Sequence, residues 1–310
     1  MRVIDAETID KVMVWPRVVA ALKAGHSKAK PQIGDVYFSD AGNGLLSRSA
    51  WISGLGSCVK AATIFPSNVN RTPSLASIQG SVLLFDAETG ETRAVVDGPA
   101  VTRWKTAGDS ALGSQLLSRP DSQSLLMVGA GTQAAPLIRA HVSVRPGIER
   151  IAIWNRTRAR AESVAAGLVD LGRPVAVADD LQAAVRGADI ISVATMSAEP
   201  VVRGAWLKPG AHLDLVGAYT SQMRETDDDA IRRGKVFVDY RGTTIGHIGE
   251  LMIPIRNGVI SGKDVLGDLY DLVAGTAGRQ SYTDITLFKN GGGAHLDLMT
   301  TLAIFEAVTK

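Results

Sequence analysis

The chain predicts an α/β fold in which a doubly wound parallel sheet is joined to a smaller α+β domain. Three observations carry that reading. From residue 124 onward, short and almost wholly apolar segments alternate with amphipathic ones, the pattern of a parallel sheet covered on both faces. A glycine-bearing turn stands directly after the first of these apolar segments. Before residue 120 the rhythm differs, with alternating apolar runs broken by turn residues, as in an antiparallel sheet.

Composition narrows the partners. The 310 residues carry 33 Lys plus Arg against 31 Asp plus Glu, a formal charge of +2. So even a balance excludes a dedicated nucleic-acid binder and leaves small molecules as the expected ligands. With 45% hydrophobic and 21% charged residues, the chain buries a sizeable core, and its length suggests two domains. Cys58 is the sole cysteine, which rules out an internal disulfide framework and a cysteine-based zinc site. The histidines His26, His141, His212, His247 and His295 lack metal-ligand spacing, so no metal is expected. The opening MRVIDAETID puts acids where a secretory leader needs basic residues, and no run approaches the roughly 18 apolar residues of a membrane span. A cytoplasmic protein with no membrane partner is the expectation.

Taken in order, SLASIQGSVLLFDAETGETRAVV (74–96) reads as an antiparallel hairpin turning at Thr89-Gly90. A helix is expected over roughly 101–117 and is ended by SRPDSQ (118–123), where we place a domain boundary. The parallel strands then follow as SLLMV, RIAIWN, PVAVA, DIISVAT, HLDLVG and KVFVDY. Asp227 to Asp229 open a helix, because carboxylates suit the positive end of its dipole. The segment 284–310 leaves the sheet pattern and ends in an apolar helix expected to return to the first domain. The predicted division is therefore 1–118 with 285–310, a substrate-binding and dimerisation domain, and 119–284, a dinucleotide-binding domain.

SLLMV runs into Gly129-Ala130-Gly131-Thr132-Gln133-Ala134, the GxGxxA form of the Rossmann fingerprint, and then into helix-forming residues. Gly129 serves the tight turn, Gly131 the backbone approach to a pyrophosphate, and Ala134 close helix packing. At the end of the second strand stand Asn155, Arg156, Thr157 and Arg158, where an NAD-selective site carries an acid. Cations without an acid favour the 2′-phosphate of NADPH, with NADH possible. Ala194, Thr195 and Met196 reach the carboxyl edge of the sheet, where such sheets bind ligands, and are expected to line the nicotinamide.

Together with VTRWKTAGDSALGSQLL, VKAATIFPSN and FKNGGGAHLDL, this arrangement resembles the ornithine cyclodeaminase/mu-crystallin family over essentially the whole chain. The resemblance implies a homodimer whose first domain, completed by the C-terminal helix, binds substrate. It also implies nicotinamide chemistry between an α-amino acid and its imine. Val216 and Gly217 in LDLVGAY, and His295 in the glycine-rich terminal segment, join the expected cofactor contacts.

Three departures from the family pattern bear on the reaction. Cyclodeaminases carry an Asp just past the strand that here ends in LDLVGAY, and Tyr219 stands in its place. A phenol, with a reference pKa near ~10, is no carboxylate base at neutral pH. The family's Arg-Thr-Ala-Ala helix motif reads Lys105-Thr106-Ala107-Gly108 here, with Asp109 one turn beyond Lys105 on the same face. The family's early substrate-binding Arg is missing around Ile33 to Val36, and Arg48 stands in for it.

Loss of the Asp argues for hydride delivery to a preformed imine. The resemblance is strongest to reductases of Δ1-pyrroline-2-carboxylate and Δ1-piperideine-2-carboxylate, which would yield L-proline and L-pipecolate. Arg48 and Lys60 are expected to hold the substrate carboxylate, Thr106 to add a hydroxyl, and Lys60, Lys105 and Asp109 to serve catalysis. The alternatives are an ornithine cyclodeaminase with retained NAD and a non-catalytic small-ligand binder of the mu-crystallin kind.

Overall fold

Alternating apolar text in the first hundred residues builds a six-stranded sheet. The computed structural model describes residues 1–310. Its first elements are β1 (Arg2–Ile4), α1 (Ala6–Val12), α2 (Trp15–His26), β2 (Gln32–Asp40), β3 (Asn43–Ile52), β4 (Gly56–Ile64), β5 (Ile78–Phe85) and β6 (Thr92–Asp97). The sheet order is β1-β6-β5-β4-β3-β2, antiparallel throughout except that β1 runs parallel to β6. Asp5 caps α1 by accepting from the Thr8 N–H at 2.8 Å. The predicted β5–β6 hairpin forms, with Gly90 at φ +72° and the Asp86 carboxylate accepting from the Glu88 and Thr89 N–H groups. The C-terminal helix, Ala294–Thr309, lies on β3, β4, β5 and α2. It approaches α2 so closely that a Cβ on Gly25 would stand 2.4 Å from the Met299 sulfur.

The helix α3 (Gly98–Leu117) leads to the second sheet. Its elements are β7 (Ser124–Val128), α4 (Ala134–Val144), β8 (Arg150–Trp154), α5 (Arg158–Ala166), β9 (Val175–Val177), α6 (Leu181–Gly187), β10 (Ile190–Val193) and β11 (His212–Leu215). They continue with α7 (Asp228–Arg233), β12 (Lys235–Val238), α8 (Arg241–Thr244), α9 (Gly249–Arg256), β13 (Val265–Gly267), α10 (Leu269–Ala274) and β14 (Thr286–Lys289). All eight strands are parallel, in the order β13-β12-β14-β11-β10-β7-β8-β9. Leu126, Val128, Ile191, Val193, Leu213, Leu215, Val236 and Leu287 form its core. The Asp227 carboxylate caps α7, as the acidic run predicts. No helix is long and apolar enough to cross a membrane.

The chain divides into two units, residues 1–105 with 293–310 and residues 106–292. Both borders differ from the predicted ones at 118 and 285. The second half of α3 belongs with the parallel sheet, since a Cβ on Gly113 would stand 2.6 Å from the Phe288 ring. In the same region the Leu117 carbonyl accepts from Arg279 Nε and Thr286 Oγ1. At the other border, Thr286–Lys289 pairs with both β11 and β12, so it is a central strand of the parallel sheet rather than part of the terminal segment.

Candidate functional site

In the second unit, the fingerprint lies where strand β7 ends and α4 begins. Gly129 adopts φ +111°, and a Cβ there would stand 2.6 Å from the Ala194 carbonyl oxygen, so only glycine fits. A Cβ on Gly131, by contrast, would meet nothing within 4 Å, which leaves open room for a phosphate against the backbone. The N-terminus of α4, at Gln133 and Ala134, has no side-chain cap, so its N–H groups suit an anion. These residues, with Ala130 and Thr132, fit the pyrophosphate of a dinucleotide.

Asn155 has a different task from the one its position suggests. Its side chain accepts from the Ala130 N–H at 3.2 Å and donates to the Thr157 carbonyl at 2.9 Å, fixing the glycine loop. Arg158 is engaged by Glu162 at 2.8 Å and by Asp179, so it is not the unoccupied cation that the sequence suggests. Arg156 is exposed and forms no ion pair.

The loops after β10 and β11 meet at the carboxyl edge. A Cβ on Gly217 would stand 1.7 Å from the Thr195 carbonyl oxygen, so the two backbones are in contact. Met196 and Tyr219 are exposed there. Beneath both loops lies Glu225, fully buried and absent from the predicted site. Burial raises its pKa to about 7, opposed by Lys289 and by the N–H and O–H groups it accepts from. Asp239, also buried, accepts from the Gly291 and Gly292 N–H groups at 2.9 and 2.6 Å and so shapes the glycine triplet.

The first unit gathers a cluster of cations. Arg48 on β3 lies directly opposite Lys60 on β4, and Asp35 on β2 directly opposite Arg48. The Arg48 guanidinium donates to Asp35 at 2.5 Å, while its Nε–H is buried with no hydrogen-bond partner. Lys60 donates to Asp297 at 3.0 Å and to Thr102 Oγ1 at 2.5 Å, leaving one of its three N–H donors. Lys60, Lys105 and Arg48 together hold the buried Asp297 carboxyl below its ordinary pKa despite desolvation. Its Oδ2 accepts from no other group.

His295 is fully buried, edge-on to His26 with ring centroids 5.7 Å apart, and burial keeps it neutral. Lys105 and Asp109 are both buried, which excludes a solvent-exposed ion bridge between them. The hydroxyl that meets Lys60 belongs to Thr102, one turn before Thr106 on α3, whereas Thr106 offers its carbonyl to Asn290. Thr102 and Asp297 are thus the contacts that sequence reasoning did not assign to Lys60.

The ornithine cyclodeaminase/mu-crystallin family model matches residues 49–310. The chain belongs to that family. Among its members, a Delta(1)-pyrroline-2-carboxylate reductase of Paracoccus denitrificans is 52% identical over 286 residues, covering 92% of this chain and 90% of that one. The ketimine reductase mu-crystallin of Rattus norvegicus is 33% identical over 252 residues, 80% of this chain and 75% of that one. In structure, the family fold superposes on the Thermococcus litoralis Delta(1)-pyrroline-2-carboxylate reductase in complex with NADH and L-proline. That match has a TM-score of 0.92 at 27% identity and covers 100% of this chain and 98% of the other.

Proposed function

We propose that this protein reduces cyclic ketimines with a nicotinamide dinucleotide, converting Δ1-pyrroline-2-carboxylate to L-proline and Δ1-piperideine-2-carboxylate to L-pipecolate. The observation that carries this reading is the group of half-buried Arg48 with buried Lys60, Lys105 and Asp297, in which cationic donors and one acceptor converge. The 52% identity to a Delta(1)-pyrroline-2-carboxylate reductase supports it.

The substrate presents a carboxylate and a protonated C=N group. The unpartnered Arg48 Nε–H and the remaining Lys60 N–H are donors for the carboxylate, each bond being charge-assisted. Asp297 Oδ2 is an acceptor for the ring N–H, and its low pKa keeps it ionised, which favours the iminium form. Lys105, buried on α3 with Asp109 one turn beyond, supplies the further positive charge or the proton. A dinucleotide held by its pyrophosphate at 129–134 would supply, from its reduced nicotinamide, the hydride that the ring carbon accepts. We assign 155–158, 194–196, 216–217 and His295 to the same cofactor, with NADPH preferred through Arg156.

Tyr219, exposed beyond β11 where cyclodeaminases carry Asp, disfavours deamination. We also propose a cytoplasmic homodimer. Val36, Phe38, Leu45 and Trp51 are exposed on one face of the edge strand β2 and its neighbour β3, an apolar surface suited to a second copy.

The test is cofactor oxidation with each imine and either NADH or NADPH, alongside L-ornithine with NAD. Oxidation with the imines and no proline from ornithine is expected. Proline from ornithine, or nucleotide binding with no turnover of any substrate, overturns the reading.

A further inference from the structure

Glu225 sits in no strand or helix, yet it is fully buried and both of its oxygens are engaged. Oε1 accepts from the Thr195 N–H at 2.7 Å and from the Thr195 hydroxyl at 2.9 Å. Oε2 accepts from the Gly217 N–H at 2.7 Å and from the Ala218 N–H at 3.2 Å. One oxygen thus holds the loop after β10 and the other the loop after β11, the pair already in backbone contact at Gly217.

The clamp is itself anchored. Glu250 on α9 accepts from the Glu225 N–H at 2.6 Å and from the Thr226 N–H at 3.0 Å, and the Glu225 carbonyl accepts from Val201 and Val202. Burying a carboxylate costs stability unless its partners compensate. Four donors, all from two loops at the carboxyl edge where such sheets receive a ligand, indicate that the arrangement serves the ligand end of the sheet.

We propose that Glu225 is a positioning residue that fixes the nicotinamide end of the cofactor site by binding the Thr195 and Gly217-Ala218 loops to each other. The proposal rests on the dinucleotide reading of the site. It does not place Glu225 in contact with cofactor or substrate. Glutamine cannot replace the glutamate, because its amide nitrogen cannot accept and would face one pair of N–H and O–H donors. One loop or the other is then released, while the glycine loop at 129–134, tied instead to Asn155, keeps its shape.

The experiment compares affinities for NADH and for ADP-ribose, which lacks the nicotinamide, by fluorescence titration of the full-length protein and its variants. Binding of both by the wild type checks the dinucleotide reading independently of turnover, and binding of neither refutes that reading. Glu225→Gln is expected to weaken NADH about tenfold and to leave ADP-ribose within about twofold. Glu225→Asp, which keeps both acceptor oxygens, should recover part of the NADH affinity.

If Glu225→Gln does not fold, Glu250→Gln, which keeps the Glu225 carboxylate and its four donors but loosens the anchor of its backbone, should show the same split at about threefold. Equal weakening of both ligands, or no weakening of either in a folded variant, overturns the proposal.

Discussion

Lys60 and Asp297, 237 residues apart in sequence, form a buried ion pair with an N–O distance of 3.0 Å. The pair joins β4 to the C-terminal helix, with Arg48 on the neighbouring strand β3. Such a pair is a weak source of net stability, but removing one partner leaves the other charge buried without compensation.

Asp297→Asn is therefore expected to destabilise the protein by about 3 to 5 kcal/mol in denaturant unfolding. It should also lower kcat/KM for the imine about 100-fold, since the ring N–H loses an ionised acceptor. A folded variant with unchanged kinetics would remove Asp297 from the substrate site.

In the proposed site Lys60 is a charged donor to the substrate carboxylate, which Lys60→Ala would remove. A KM for the imine raised by roughly 10- to 100-fold is expected. Nucleotide affinity, measured by fluorescence titration, should be unaltered. Unchanged kinetics in a folded protein would contradict the assignment.

The two arginines after β8 have separate fates. Arg158 is engaged by Glu162 and Asp179, whereas Arg156 is exposed. Arg156→Ala should weaken NADPH about tenfold and NADH by less than about twofold. Equal effects on the two would reject the 2′-phosphate contact.

Acid should destabilise the fold before any ordinary carboxylate titrates. Burial lowers His26 to about 4, His212 to about 3 and His295 well below 6.5. Between those values and 6.5 the unfolded chain binds protons that the native chain does not, so each histidine withdraws stability as pH falls. Glu225, raised to about 7, and Asp239, also raised, act in the opposite sense. Three imidazoles against two carboxyls leave a net of roughly one proton, a loss of about 1.4 kcal/mol per pH unit between about pH 6 and about pH 5. Denaturant titrations across that range check it, and constant or rising stability would contradict it.

The parallel sheet was legible because β7, β10 and β11 are strings of buried residues, and the fingerprint because Gly129 does what only glycine does. β14 was not. Its text, TLFK, is only four residues long and begins and ends with polar side chains. They are buried because the Thr286 hydroxyl donates to Leu117 and the Lys289 ammonium to the Leu215 and Asn290 carbonyls.

Long-range partners were equally hidden. Arg48 and Lys60 share one expected ligand, the substrate carboxylate, and cross-strand register places them side by side. Asp35, in the stretch where the family's arginine is missing, pairs with Arg48 through strand register that no local pattern displays. Glu225 lies in Arg224-Glu225-Thr226, which reads as an exposed polar loop. Only the loops folded over it make it a buried carboxylate.

In the proposed reaction, hydride passes to the ring carbon of a preformed imine. The measurement is reduction of Δ1-pyrroline-2-carboxylate with NADH carrying deuterium at both C4 positions of the nicotinamide, followed by mass spectrometry and NMR of the product. One deuterium at carbon 2 of L-proline is predicted. Proline without deuterium, or no proline from the imine, would refute direct hydride transfer to the ring carbon.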